Sequence, residues 1–178
     1  MSNMPTKAER FQAAHFVEWF YERTGTRYAI TDGPDPPDFL LQSNSHQAWL
    51  EVTDIYLSNE QAEYLNSPAI QTFSFYGSPD EPALRLINQL NGKLSKNSYR
   101  PFFEKRGKGF LLLTCEDFMF DDVNLARVEE CLESLPSWFP LDNQGFFSKA
   151  YFEYCLREAG PFYKLVYSDE KSCHARGR

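Results

Sequence analysis

Residues 36–55, PPDFLLQSNSHQAWLEVTDI, decide how the rest of the chain is read. Phe39-Leu40-Leu41 is a short apolar run, and Ser43-Asn44-Ser45-His46 is a polar turn where the chain can reverse. The following stretch alternates. Trp49, Glu51, Thr53 and Ile55 share one face of a strand, and Leu50, Val52 and Asp54 share the other. Together these features predict a β-hairpin. The rigid Pro36-Pro37 pair makes an extended lead-in to Asp38 at its mouth. Thirteen residues later Glu51 stands mid-strand, so the hairpin brings two carboxylates towards one place. A Glu on the same face as Trp49 and Ile55 needs a partner, because burying an unpaired carboxylate is costly. A hard divalent cation held by one or two carboxylates is one such partner. A salt bridge, or an edge strand open to solvent, is the other reading of the same residues.

Outward from the hairpin, residues 6–23 predict an amphipathic helix with Thr6 as N-cap and Gly25 past its end. Ala13, Phe16, Val17 and Phe20 form its apolar stripe, and Glu9 lies on the edge of that face. A short strand at 27–31 and a turn-rich segment at 32–37 lead into the hairpin. Residues 57–79 predict a loop with a short helix. A second helix is expected over 80–98, capped by Asp80, with Ala83, Leu86, Ile87, Leu90 and Leu94 as its stripe. Gly109–Cys115 is apolar without alternation, as in a strand covered on both faces. A third helix is expected at 121–134, and strands at 149–156 and 162–167. The order fits one α/β domain over 1–178, a three-layer α/β/α sandwich with a mixed central sheet. Its core spans about 6–135, with a C-terminal strand extension at 136–168 and a loose tail at 169–178.

Composition narrows the classes. A chain of 178 residues with 42% hydrophobic and 16% aromatic residues is neither disordered nor fibrous. Cys115, Cys131, Cys155 and Cys173 show no CxxC spacing, so no zinc ribbon or thioredoxin-type site is expected, and the thiols read as reduced. His15, His46 and His174 make no metal or triad pattern, and no glycine-rich nucleotide loop occurs. No signal peptide and no apolar span of membrane length is present, so the expected location is cytoplasmic and no membrane partner is expected.

The net charge of −7 excludes indiscriminate coating of nucleic acid. It is unevenly spread. Lys93, Lys96, Arg100, Lys105, Arg106 and Lys108 face only Glu104 in segment 93–108, which carries +5 and leaves −12 on the rest. Tyr99, Phe102 and Phe103 interleave with these cations, a composition suited to phosphate contact and base stacking. These six cations are the candidate nucleic-acid-binding residues, and a solvated loop before a buried strand is the alternative. The aromatic-rich stretch 138–167 reads as core packing, or as a surface for a protein partner or homodimer.

The order of these elements, with Glu9 on the first helix, Pro37-Asp38, Glu51-Val52-Thr53 and Lys93 on the next helix, resembles the PD-(D/E)xK nuclease superfamily. The likeness covers residues of about 6–115 and implies a restriction-endonuclease-like αβββαβ core. It further implies Mg2+ or Mn2+ as cofactor, held by Asp38 and Glu51 with Glu9 assisting. The motif's Lys would stand at position 53, where this chain has Thr. Thr offers no positive charge to a developing anion. Some subfamilies are similar in carrying that Lys on the following helix, where Lys93 and Lys96 lie with Gln89 on a shared face. The resemblance therefore implies a divergent metal-dependent nuclease with Asp38, Glu51 and Lys93 or Lys96 as catalytic residues. The alternative is a nuclease-fold domain that has lost catalysis and binds protein or nucleic acid.

Overall fold

Thr6 opens the first element as expected, and it does so reciprocally. Its hydroxyl accepts the Glu9 N–H at 3.2 Å while Glu9 Oε2 accepts the Thr6 N–H at 2.6 Å, a capping box. Helix α1 then runs Lys7–Thr24 and ends on Gly25 at φ 73°, a left-handed cap that favours glycine. In this computed structural model, residues 4–34, 36–55, 80–119, 126, 130, 145–155 and 161–169 are described.

Three strands follow: β1 (Ala29–Asp32), β2 (Phe39–Gln42) and β3 (Gln47–Asp54). After them come α2 (Asp80–Leu94), a single 3-10 turn at Asn97–Tyr99, α3 (Arg100–Arg106), β4 (Gly109–Met119), β5 (Phe147–Cys155) and β6 (Pro161–Ser168). The strands form one six-stranded sheet in sequence order. Pairing is antiparallel for β1–β2, β2–β3 and β5–β6, and parallel for β3–β4 and β4–β5. The sheet is mixed, with helices on both faces. The strands of the expected C-terminal extension, β5 and β6, belong to this same sheet.

The alternation read in β3 sets the layers. Leu50 and Val52 pack with Ala13, Phe16 and Phe20 of α1, together with Phe39, Leu41, Phe110 and Leu112. Trp49 and Ile55 pack on the opposite face with Leu86, Leu90 and Leu94 of α2, and with Tyr99, Leu111 and Leu113. Phe110, Leu111, Leu112 and Leu113 are all buried because β4 is covered on both faces, which explains its lack of alternation.

Element ends differ from expectation in places: β1 starts at Ala29 rather than 27, and β4 runs on to Met119 rather than 115. The second helix stops at Leu94 rather than 98, and the chain re-enters helix at Arg100, with Pro101 in the first turn where its missing N–H costs nothing. The segment expected to be a solvated loop is thus mostly the 3-10 turn and α3. The loop expected at 57–79 lies outside the described residues. So does the helix expected at 121–134, apart from Ala126 and Glu130, which are helical. Among the described residues no helix is long and apolar enough to cross a membrane. Cys115 is buried.

Gly109 starts β4 directly against the Trp49 ring, and a Cβ there would sit 2.3–2.4 Å from three of its carbons. Trp49 cannot give way, since its Nε1–H donates to the Gly107 carbonyl at 2.9 Å and Tyr99 stacks on it. Gly109→Ala is therefore expected to destabilise by about 1–3 kcal/mol through overpacking. Gly92, inside α2 with open space around it, gives the opposite sign: Gly92→Ala stabilises by about 0.5–1 kcal/mol. Denaturant unfolding of both variants measures the pair.

Candidate functional site

Glu51 sits in the middle of β3, between antiparallel β2 and parallel β4, and is only 5% exposed. The elements around it meet the cost of that burial. Lys93 Nζ donates to Glu51 Oε1 at 2.7 Å, and the Tyr99 hydroxyl donates to the same oxygen at 2.9 Å. Gln89 Nε2 donates to Thr53 Oγ1 at 3.1 Å. The repeat lengths make this pairing natural. Four residues of helix rise about 6 Å and two residues of strand about 6.6 Å. Gln89 and Lys93 thus step in register along Thr53 and Glu51, with α2 running opposite to β3.

Asp38 lies one residue before Phe39, whose partner across the hairpin is Leu50, so Asp38 stands beside Glu51. Its position is fixed from two sides. Val52 N–H donates to Asp38 Oδ2 at 2.8 Å, and Gly33 N–H donates to the Asp38 carbonyl at 2.6 Å, closing the turn before β2. A Cβ on Gly33 would fall 1.9 Å from the Pro37 carbonyl oxygen, so this turn admits only glycine.

The electrostatics are set first by burial and then by crowding of negative charge. Burial pushes the Asp38 carboxyl up to about 7, and the nearby Glu51 and Glu9 carboxylates add to the rise. The Val52 N–H and the Lys93 ammonium oppose it without cancelling it. Glu51 Oε2 is buried with no hydrogen-bond partner, which is rare for a buried polar atom.

A hard divalent cation fits these donors. Both side chains offer oxygen, one oxygen is orphaned, and the local charge is short of positive counterparts. Among the described residues no three His, Cys, Asp or Glu side chains converge as a metal cluster. A cation here would therefore complete its shell with water or substrate. Glu9 Oε2 is engaged in the α1 cap, so Glu9 reaches the site through its charge on Asp38.

The two candidate lysines part company. Lys93, with a side chain 14% exposed, is brought to Glu51, whereas Lys96 is exposed on the turn after α2. The basic segment divides likewise. Lys108 pairs with Asp169, and the Arg100 guanidinium lies 5.7 Å from the Phe146 ring centre. Lys96, Arg100 and Lys105 are exposed, and Arg106 is half-buried. The aromatics between them do not face solvent as a stacking surface. Tyr99 is 1% exposed, and Phe102 and Phe103 pack against the core, because 97–106 folds back onto the sheet. Tyr99 is the site residue that reading the sequence missed. The signal that could have revealed it is Pro101, which marks a helix start and so a turn between 95 and 100.

Fold and site thus define an α/β protein with a buried carboxylate–lysine pair at the centre of a mixed sheet. No family model matches the chain, and neither does any curated protein. Among solved structures it is similar to Pyrococcus furiosus SfsA in complex with Ca2+, at 14% identity and a TM-score of 0.33. The match covers 88% of this chain and 62% of that one, so this chain spans less than two thirds of that protein's length. A likeness of this size carries no argument about the site.

Because Asp38 titrates near 7 when folded and near 3.8 otherwise, the folded chain holds a proton that the unfolded chain has lost between those values. Stability must then fall as pH rises from about 4 to about 7, the reverse of a salt-bridged aspartate. The expected result is a metal-free melting temperature that declines over this window relative to Asp38→Asn, which cannot titrate. Parallel melting curves for the two proteins would contradict it.

Proposed function

We propose that this protein is a divergent metal-dependent nuclease that hydrolyses phosphodiester bonds in nucleic acid. The observation that carries this reading is the Lys93 ammonium 2.7 Å from Glu51, beside an Asp38 whose carboxyl is driven upward by burial and, less strongly, by neighbouring negative charge. The arrangement supports a helix-borne cation standing in for the one that Thr53 cannot supply. Asp38 and Glu51 would hold Mg2+ or Mn2+, and Glu9 adds a third negative charge nearby. When bound, the cation supplies polarisation of a phosphoryl oxygen and a more acidic attacking water.

The chain's own residues have separate tasks. Asp38 and Glu51 present oxygens from adjacent strands, so the sheet's hydrogen bonds fix their spacing. Lys93 carries the charge that meets negative charge developing on phosphate, a role typically worth about 100-fold or more in rate. Thr53, where a strand lysine would stand, accepts a hydrogen bond from Gln89 instead. Lys96, Arg100 and Lys105 are exposed cations available to the phosphate backbone, a modest set that suits a short contact.

A second reading, a catalytically silent nuclease-fold domain that binds protein or nucleic acid, is favoured by Thr53 and by the net charge of −7. One experiment separates the two: incubation with single- and double-stranded DNA and with RNA, in Mg2+ or Mn2+. Cleavage by wild type is expected, with a loss of about 100-fold or more in Asp38→Asn, Glu51→Gln and Lys93→Ala. Lys96→Ala should lose far less than these, through weaker contact with the phosphate backbone alone. No cleavage of any substrate, or cleavage indifferent to Asp38 and Glu51, would favour the silent domain.

A further inference from the structure

Glu51 Oε1 receives two donors of very different mobility. Lys93 reaches it on a flexible four-carbon stem from the last turn of α2. Tyr99 reaches it from a ring that cannot move. That ring stacks on Trp49 at 5.4 Å between centroids and 15° between planes, and meets Phe147 edge-on at 4.9 Å. Trp49 is itself pinned by its bond to the Gly107 carbonyl.

We propose that Tyr99 is a positioning residue: its hydroxyl holds Glu51 Oε1 so that Oε2, the buried oxygen without a hydrogen bond, is presented to a divalent cation. This inference rests on the metal site proposed above and assigns Tyr99 a part in it. Two donors on one carboxylate oxygen and none on the other is a wasteful arrangement for a purely structural ion pair. A carboxylate buried for stability alone would have both oxygens bonded. The arrangement makes sense when one oxygen is reserved. The rigid donor also frees the mobile one. When Lys93 swings towards a phosphate oxygen, Glu51 keeps its orientation through Tyr99 instead of rotating after the ammonium. Partners that orient metal-binding side chains typically contribute about 10–100-fold in metal affinity.

The test uses the full chain and Mn2+ alone, with binding followed by calorimetry and by the paramagnetic resonance of free Mn2+. Wild type, Asp38→Asn and Tyr99→Phe are compared, and melting temperatures are recorded in chelator. Tyr99→Phe keeps the ring and its stack and deletes only the hydroxyl. The expected result is Mn2+ affinity lowered about tenfold or more, with the melting temperature in chelator within a degree or two of wild type. Wild-type affinity in Tyr99→Phe, while Asp38→Asn abolishes binding, would overturn the role of Tyr99 and leave the metal site standing. No Mn2+ binding by wild type would overturn the metal site, and this inference with it. A large drop in melting temperature with unaltered Mn2+ affinity would show the hydroxyl to be structural and overturn the proposal. For a Phe variant that does not fold, Lys93→Met is measured instead, which leaves the Tyr99 hydroxyl to hold Glu51 Oε1. Retained Mn2+ binding there supports positioning by a hydrogen bond, and wild-type stability without binding opposes it.

Discussion

The constraint on which the rest of this molecule depends is a carboxylate in the wrong place. Glu51 occupies a core position on the central part of a sheet, between Trp49 and Thr53, where a leucine would be unremarkable. An ionised carboxylate there must be met by a positive charge and by donors, or the strand does not bury. The parallel pairing of β3 with β4 requires a long crossover, and the crossover supplies both. Lys93 comes from the end of α2 and Tyr99 from the 3-10 turn that follows it. The break in the helix after Leu94 therefore has a consequence for the site: the chain turns before re-entering helix at Arg100, and Tyr99 lies at that turn, over the sheet.

Stability alone does not account for the pair. Replacing a buried ion pair by well-packed apolar residues is often neutral or stabilising by about 1–4 kcal/mol, whereas removing one partner costs about 3–5 kcal/mol. The surrounding cluster of Trp49, Leu90, Leu94, Leu111 and Leu113 could accept such a replacement without rearranging the layers. Asp38 sharpens the point. It adds a second carboxyl beside Glu51 and is held there by the Val52 N–H and the Gly33–Asp38 turn, although burial and its neighbours work against its charge. Two acids and one lysine held together at a net electrostatic cost is the arrangement on which the proposed chemistry rests.

How far the sequence discloses this depends on the range of each interaction. The α1 cap, the hairpin, the face of β3 and the double coverage of β4 follow from local rules, and all are found in the structure. Lys93 was within reach because helix spacing ties it to Gln89, even though the sequence could not choose between Lys93 and Lys96. That choice is made by where α2 ends, and a three-residue slip, close to one helical turn, would have exchanged them. Tyr99 was legible only as a residue at the turn ahead of Pro101, and its contacts were out of reach. Its partners Trp49 and Glu51 are some fifty residues away in sequence, and among basic residues it read as a surface aromatic. The parallel addition of β5 to β4 was equally hidden, because strand order follows from packing between segments and leaves no periodicity in either one.

Charge counting failed in the same way and for the same reason. The +5 of segment 93–108 looks like a basic stripe when written along the chain. In three dimensions Lys93 turns inward to Glu51 and Lys108 pairs with Asp169, while Lys96, Arg100 and Lys105 face solvent. The inward cation and the outward ones do different physical work. Lys93 acts at low dielectric, where one charge at hydrogen-bond distance has a large local effect. The exposed cations act through a field that salt screens within about 10 Å. A protein of net charge −7 cannot depend on the second kind to gather polyanions from a distance. On the proposed reading, phosphate chemistry must draw its strength from the buried kind, which at this site is Lys93 beside Glu51.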